Sequence, residues 1–195
     1  TPVPLDAVDG VPGLVGVRQD AHRFRFAATL ALDALDALDA LDALDAFDRA
    51  GDGHVRAGLA VVQDERHHLT VHVVPGGGAP GRSAGEDATP HVRVALREAG
   101  EEAVLAVVPL GAVVPGTVTL EVAADGLTYE VALRPDEVGA PNAPAAALRR
   151  VLARVPHRAL SGETAQSFAG AVLALVAEGL ATGPAVTFRG VRYER

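Results

Sequence analysis

From Val55 onward the chain alternates apolar and polar residues, with turn residues between the runs, the pattern of half-buried antiparallel strands. Val55–Gln63 and His68–Val74 flank Asp64-Glu65-Arg66-His67; paired around that loop, Ala60 and Val62 share a face with Leu69, Val71 and Val73. Gln63, His68, Thr70 and His72 fall on the other face and are expected to meet solvent. His91–Glu98 and Glu101–Val108 predict a second hairpin around Ala99-Gly100, with Val92, Val94 and Leu96 beside Val107, Leu105 and Ala103. Thr117–Ala124 and Leu127–Arg134 predict a third through Asp125-Gly126, a dipeptide suited to the positive φ angles of a type I′ turn. There Val118, Leu120 and Val122 oppose Leu133, Val131 and Tyr129. His22–Phe26 and Pro184–Tyr193 alternate in the same way and predict a strand near each end.

Three segments read as helices. Leu148, Val151, Leu152 and Val155 fall at i, i+3, i+4 and i+7, with Arg149, Arg150 and Arg154 opposite and Pro156 as the stop. Thr164–Ala181 is apolar on most faces through Phe168, Val172, Leu173, Leu175, Val176 and Leu180, with Ser161 or Thr164 as cap. Near the N-terminus, residues 31–48 repeat the triplet Ala-Leu-Asp five times and close with Ala46-Phe47-Asp48. Ala and Leu are the strongest helix formers, so a helix is expected over residues 29–50, ended by Gly51. A spacing of three slips by about 60° per copy on an α-helix, so its leucines and aspartates wind around it and no face is wholly apolar.

The predicted fold is therefore α+β: a six-stranded antiparallel meander with an acidic N-terminal helix and two C-terminal helices, in one domain over residues 1–195. Residues 75–90, rich in Gly and Pro, read as a loop. Apart from its last strand, the element order resembles the helix-grip architecture, in which a meander curls around a long C-terminal helix and encloses an apolar cavity.

The repeat carries Asp33, Asp36, Asp39, Asp42, Asp45 and Asp48, six of the net eight negative charges. All 17 basic residues are arginine, and Lys, Ile, Cys, Met and Trp are absent, the bias of a GC-rich genome. Without Cys or Lys the chain has no thiolate nucleophile, disulfide, thiolate metal site, Schiff base or Walker lysine. A net charge of −8 argues against a nucleic-acid surface. The longest uncharged stretch, Ala103–Leu120, is broken by prolines and glycines and does not read as a membrane span. No signal peptide is visible at Thr1-Pro2-Val3-Pro4, and a cytoplasmic location is expected.

Local motifs add little chemistry. Asp48 and Asp52 begin a segment that looks like an EF-hand loop, but Ala50 and Leu59 stand where ligands are needed. Gly76-Gly77-Gly78-Ala79-Pro80-Gly81 spells GxGxxG and Gly81-Arg82-Ser83-Ala84-Gly85 spells GxSxG, without the helix that either must open. His68 and His72 lie about 13 Å apart on a strand, too far to share a metal.

With no convergent acid, base and nucleophile set, the leading expectation is a non-enzymatic interaction or assembly module without cofactor. Its contact surfaces would be the acidic repeat helix and the apolar C-terminal helix, with Asp33, Asp36, Asp39, Asp42, Asp45, Arg149, Arg150 and Arg154 meeting a protein partner or a second copy. One alternative binds an apolar small molecule, or carries out cyclase-like chemistry on one, in a helix-grip cavity lined by Tyr129, Phe168 and a histidine; another is a degenerate calcium-binding protein.

Overall fold

The computed structural model describes residue 5 and residues 13–31, 56–74, 90–110, 116–135, 149–166, 170–178 and 186–195. These form two antiparallel sheets packed face to face. The first contains β1 (Gly13–Arg18), β3 (Arg56–Asp64), β4 (His67–Val74), β5 (His91–Glu98), β6 (Glu101–Pro109) and β10 (Val172–Glu178) in the order β1-β10-β3-β4-β5-β6. The second contains β2 (Arg23–Ala31), β7 (Thr117–Asp125), β8 (Thr128–Pro135), β9 (Arg150–Pro156) and β11 (Phe188–Glu194) in the order β11-β2-β7-β8-β9. A 3-10 turn (His157–Leu160) and a four-residue helix α1 (Gly162–Ala165) are the helical elements among the described residues.

The expected α+β fold is thus corrected to a β-sandwich, and both C-terminal helices become strands. Val172–Glu178 lies between β1 and β3, where Leu173 pairs with Val61 on one side and Val17 on the other. A short apolar run buried on both faces carries no period that separates strand from helix, so its place in the sheet decides. Residues 150–156 add as an edge strand to β8, with a bulge between Val131 and Ala132 that spoils a two-residue period and imitates a helical one. Ser161 does cap a helix, its Oγ accepting from the Thr164 amide, but Gln166 at φ 53° ends that helix within one turn. β1 had no counterpart among the expected strands. Of the expected repeat helix, Thr29, Leu30 and Ala31 belong to β2; the remainder, with Asp33, Asp36, Asp39, Asp42, Asp45, Asp48 and Asp52, lies outside the described residues, as do the Gly- and Pro-rich segment and Phe168.

The hairpins form where turn residues predict them, with altered registers. Ala99 and Gly100 both take positive φ, 54° and 89°, as a type I′ turn requires. The first hairpin turns through Glu65-Arg66, not four residues, and a bulge between Val62 and Asp64 shifts the pairing. Ala57, Leu59 and Val61 therefore share the core face with Leu69, Val71 and Val73, and Ala60 and Val62 turn to the opposite face. A slip of one residue exchanges the faces of a whole strand. In the second hairpin Val94 pairs with Ala106 and Ala95 with Val104, so Leu105 is bulged out and Leu105 and Val107 are exposed. In the third, Leu120 opposes Leu133 and Val122 opposes Val131, a shift of two that keeps the expected face.

The core lies between the sheets, with Leu59, Val61, Leu69, Val71 and Val73 from the first meeting Phe26, Leu30, Leu120, Val122 and Val131 from the second. Burying each such side chain contributes on the order of 2 kcal/mol. The outer face of the first sheet is buried too: Ala60, Ala174 and Val176 pack with Leu5, whose amide donates to Glu178 Oε1 at 3.1 Å. Hence His68 and His72 are buried there and do not face solvent as expected.

Candidate functional site

One end of the sandwich opens into a cleft of about 1030 Å³, lined by residues brought together from five separate places in the chain. Gln19 follows β1, His22 precedes β2, Tyr129 opens β8, His157 begins the 3-10 turn after β9, and Ser161 to Gln166 form the α1 rim. Pairing of Thr128 with Pro156, and the His157 amide donating to the Leu127 carbonyl at 2.7 Å, place His157 over Tyr129. The Gln19 amide in turn donates to the Ala171 carbonyl at 2.8 Å, tying the β1 exit to the start of β10.

The His157 and Tyr129 rings stack at 4.7 Å between centroids and 21° between planes. His22 meets His157 edge-on at 6.0 Å, and Phe24 backs Tyr129 at 6.2 Å. Tyr129 is fully buried and its hydroxyl donates to Gln19 Oε1 at 2.9 Å. Burial pushes its phenol up to about 12, and the Gln19 bond offsets part of that rise. Gln19 Nε2 donates to the Ala21 carbonyl at 3.0 Å and lies 3.2 Å from His157 Nε2. With Oε1 engaged by the phenol, that amide nitrogen can only donate, so His157 Nε2 accepts and the ring proton sits on Nδ1. Burial, then the neighbouring His22, holds His157 below the ordinary histidine range.

The result is a clamped, neutral imidazole backed by a phenol, beside the hydroxyl, carboxylate and amide of Ser161, Glu163 and Gln166 and the exposed apolar Leu127. Glu163 is the single carboxylate among the described lining residues. No group of three or more metal-ligating side chains occurs among the described residues.

Residues 47–194 match the family described as beta xylosidase C-terminal concanavalin A-like domain. The chain belongs to that family. Solved structures agree in fold. The xylan beta-1,4-xylosidase of Bacillus halodurans superposes with a TM-score of 0.71 at 16% identity, covering 100% of this chain and 31% of that one. The GH43 protein BlXynB of Bacillus licheniformis gives 0.66 at 14%, covering 99% and 31%. The GH43B protein of a Bacteroides ovatus xyloglucan PUL gives 0.59 at 20%, covering 90% and 29%. The chain therefore spans about a third of the length of these structural relatives. No curated protein matches it significantly.

Membership in a β-xylosidase C-terminal domain family overturns the assembly module expected from the sequence, because the apolar segment that was to be its contact helix is the mid-sheet strand β10. It equally removes the helix-grip ligand pocket, which needed that helix as its lid, and replaces the calcium-binding alternative. No described helix is long and apolar enough to cross a membrane.

Of the arginines expected to meet a partner, Arg149 and Arg154 lie on the outer face of the second sheet of this β-xylosidase C-terminal domain, and Arg150 pairs with the core-facing Leu133. Arg149 Nε contacts Glu121 Oε1 at 2.8 Å and its Nη1 contacts Glu130 Oε1 at 2.6 Å, while Arg154 Nη2 contacts Glu130 Oε2 at 2.6 Å. Arg150 is exposed as the first residue of β9. Of the cleft residues, Tyr129 alone was foreseen as a lining group. Gln19, His22 and His157 carry no local motif, and only the crossing of the chain between sheets brings them together.

Proposed function

We propose that this chain is the accessory sandwich of a glycoside hydrolase acting on xylose-containing polysaccharide, and that its end cleft holds sugar rings of that polymer. The observation that carries the reading is the His157 ring, backed by Tyr129 at 4.7 Å and clamped by Gln19 so that Nδ1–H is left to donate to a hydroxyl. A sugar presents both an apolar ring face and hydroxyls that exchange hydrogen bonds, which suits a site combining ring faces, amides and a hydroxyl. Support for the polysaccharide class comes from the family and from one relative in fold, a xylan beta-1,4-xylosidase.

The test is titration of the 195-residue chain with xylotetraose by isothermal calorimetry. His157→Ala is expected to weaken binding about ten-fold, the loss of one stacked ring and one hydrogen bond. Equal affinity in the wild-type chain and His157→Ala, with both folded, would remove the cleft from the reading.

A further inference from the structure

The outer face of the second sheet carries a positive surface that the cleft does not use. Phe24, Phe26, Val122, Tyr129 and Val131 point into the core, so the alternate positions of the same strands point outward. With the pairing of β11 and β9 added, the outward residues include Arg23, Arg25, Arg134, Arg149, Arg154, Arg189 and Arg192 against Glu121, Asp125, Glu130 and Glu194. Seven guanidinium groups thus meet four carboxylates in a chain whose overall charge is −8.

The imbalance is sharper at the surface than in the count. Glu121 is 1% exposed and sits beneath three arginines: Arg149 at 2.8 Å, Arg134 at 2.9 Å and Arg25 at 3.5 Å. Its charge is buried, whereas Arg154 and Arg25 are 66% and 48% exposed. A guanidinium has five N–H donors in a fixed fork, so one that bonds a neighbouring carboxylate through two of them still offers others outward. Glu121 and Glu130 hold these forks in place before any ligand arrives, which lowers the ordering cost of binding.

We infer that this arginine face binds the carboxylates of an anionic polysaccharide, such as a xylan bearing uronic acid substituents. The inference rests on the carbohydrate reading above for the class of polymer and on the face itself for the charge. A face five strands wide, about 19 Å across at ordinary strand spacing, with exposed guanidinium groups at Arg25 and Arg154, fits an extended chain better than a single small anion. A guanidinium matches a planar carboxylate bidentately. The outward residues between the arginines include Ala27, Thr29, Thr119 and Ala123, and the aromatics of β2 and β8 (Phe24, Phe26 and Tyr129) point inward and leave no ring to stack a base, which disfavours single-stranded nucleic acid.

Affinity electrophoresis of the full chain through gels containing glucuronoxylan, or the same polymer with its carboxyls reduced, tests this. Retardation by glucuronoxylan should exceed that by the reduced polymer about ten-fold at low salt and fade towards physiological salt, as exposed ion pairs do. Arg25→Gln/Arg154→Gln should lose about five-fold of the affinity for glucuronoxylan while keeping the wild-type melting temperature, since Glu121 retains Arg134 and Arg149 at shorter distances and the Arg154 pair is largely exposed. His157→Ala should lose affinity for the reduced polymer and keep the charge-dependent part. Equal retardation by both polymers, or an undiminished Arg25→Gln/Arg154→Gln variant, overturns the face and leaves the cleft standing. Retardation by glucuronoxylan alone supports the face and overturns the cleft. Equally strong retardation by DNA overturns the polysaccharide as its ligand.

Discussion

His72 makes the fold acid-sensitive by an amount that follows from its surroundings. It lies in mid-β4, fully buried, and neither ring nitrogen has a hydrogen-bond partner among the described residues. Burial is the largest cause that pushes its imidazole down to about 3; Arg56, Arg93 and His68 add to the shift and Glu102 opposes it. In the unfolded chain the same ring titrates near the ordinary value of 6.5. Because the folded value is the lower one, the unfolded state takes up the proton first. Stability is then complete above about pH 6.5 and is lost as pH falls from there towards about 3. At about pH 4.5 the folded ring is still neutral and the unfolded ring is about 100-fold protonated, a loss of about 3 kcal/mol; the full separation corresponds to about 5 kcal/mol.

His72→Leu removes the titration while nearly conserving volume and breaks no hydrogen bond, so at about pH 8 its stability should lie within about 1 kcal/mol of wild type. Urea unfolding followed by far-UV circular dichroism at both pH values measures the difference, and acid effects of other groups common to both proteins cancel. The variant should be more stable by about 3 kcal/mol at about pH 4.5. Stabilities of the two proteins that run parallel between those pH values would refute the argument.

Two further substitutions test the framework that positions both surfaces. Gly58 faces β4 so closely that an added Cβ would lie 1.8 Å from the Val71 carbonyl oxygen; Gly58→Ala should cost more than about 3 kcal/mol, read as loss of soluble folded protein or of the urea midpoint. Glu121→Gln removes the buried charge shared by three arginines and should destabilise by about 3 kcal/mol, softened because those guanidinium groups are partly wet. An unchanged urea midpoint would show that Glu121 does not hold the arginine face together.

Much of the strand content was legible because an antiparallel strand with one buried face writes its period directly into the sequence. The turns Ala99-Gly100 and Asp125-Gly126 were legible as well, since positive φ angles restrict the residues that can occupy them. β9 and β10 were not. Val151, Leu152 and Val155 fit a helical spacing as well as a bulged edge strand, and Val172–Glu178 is apolar on both faces, with Leu5 packed on the side that would otherwise be wet. The candidate site was less legible still: Tyr129 stood out as an aromatic in a strand, but Gln19, His22 and His157 acquire meaning only from one another.

By itself the sequence determined the three central hairpins and the turns at Ala99-Gly100 and Asp125-Gly126, the excess of acid over base, and the exclusion of thiol and lysine chemistry. The tertiary structure decided register, sheet membership and the two surfaces. Local pattern records whether a residue prefers burial, but not which distant residue buries it. Bulges at Gln63 and Leu105 exchanged the faces of their strands without changing composition, and strand pairing within the second sheet set His157 over Tyr129 and three arginines over Glu121. Those juxtapositions depend on long-range pairing energies, and periodicity along the chain carries no trace of them.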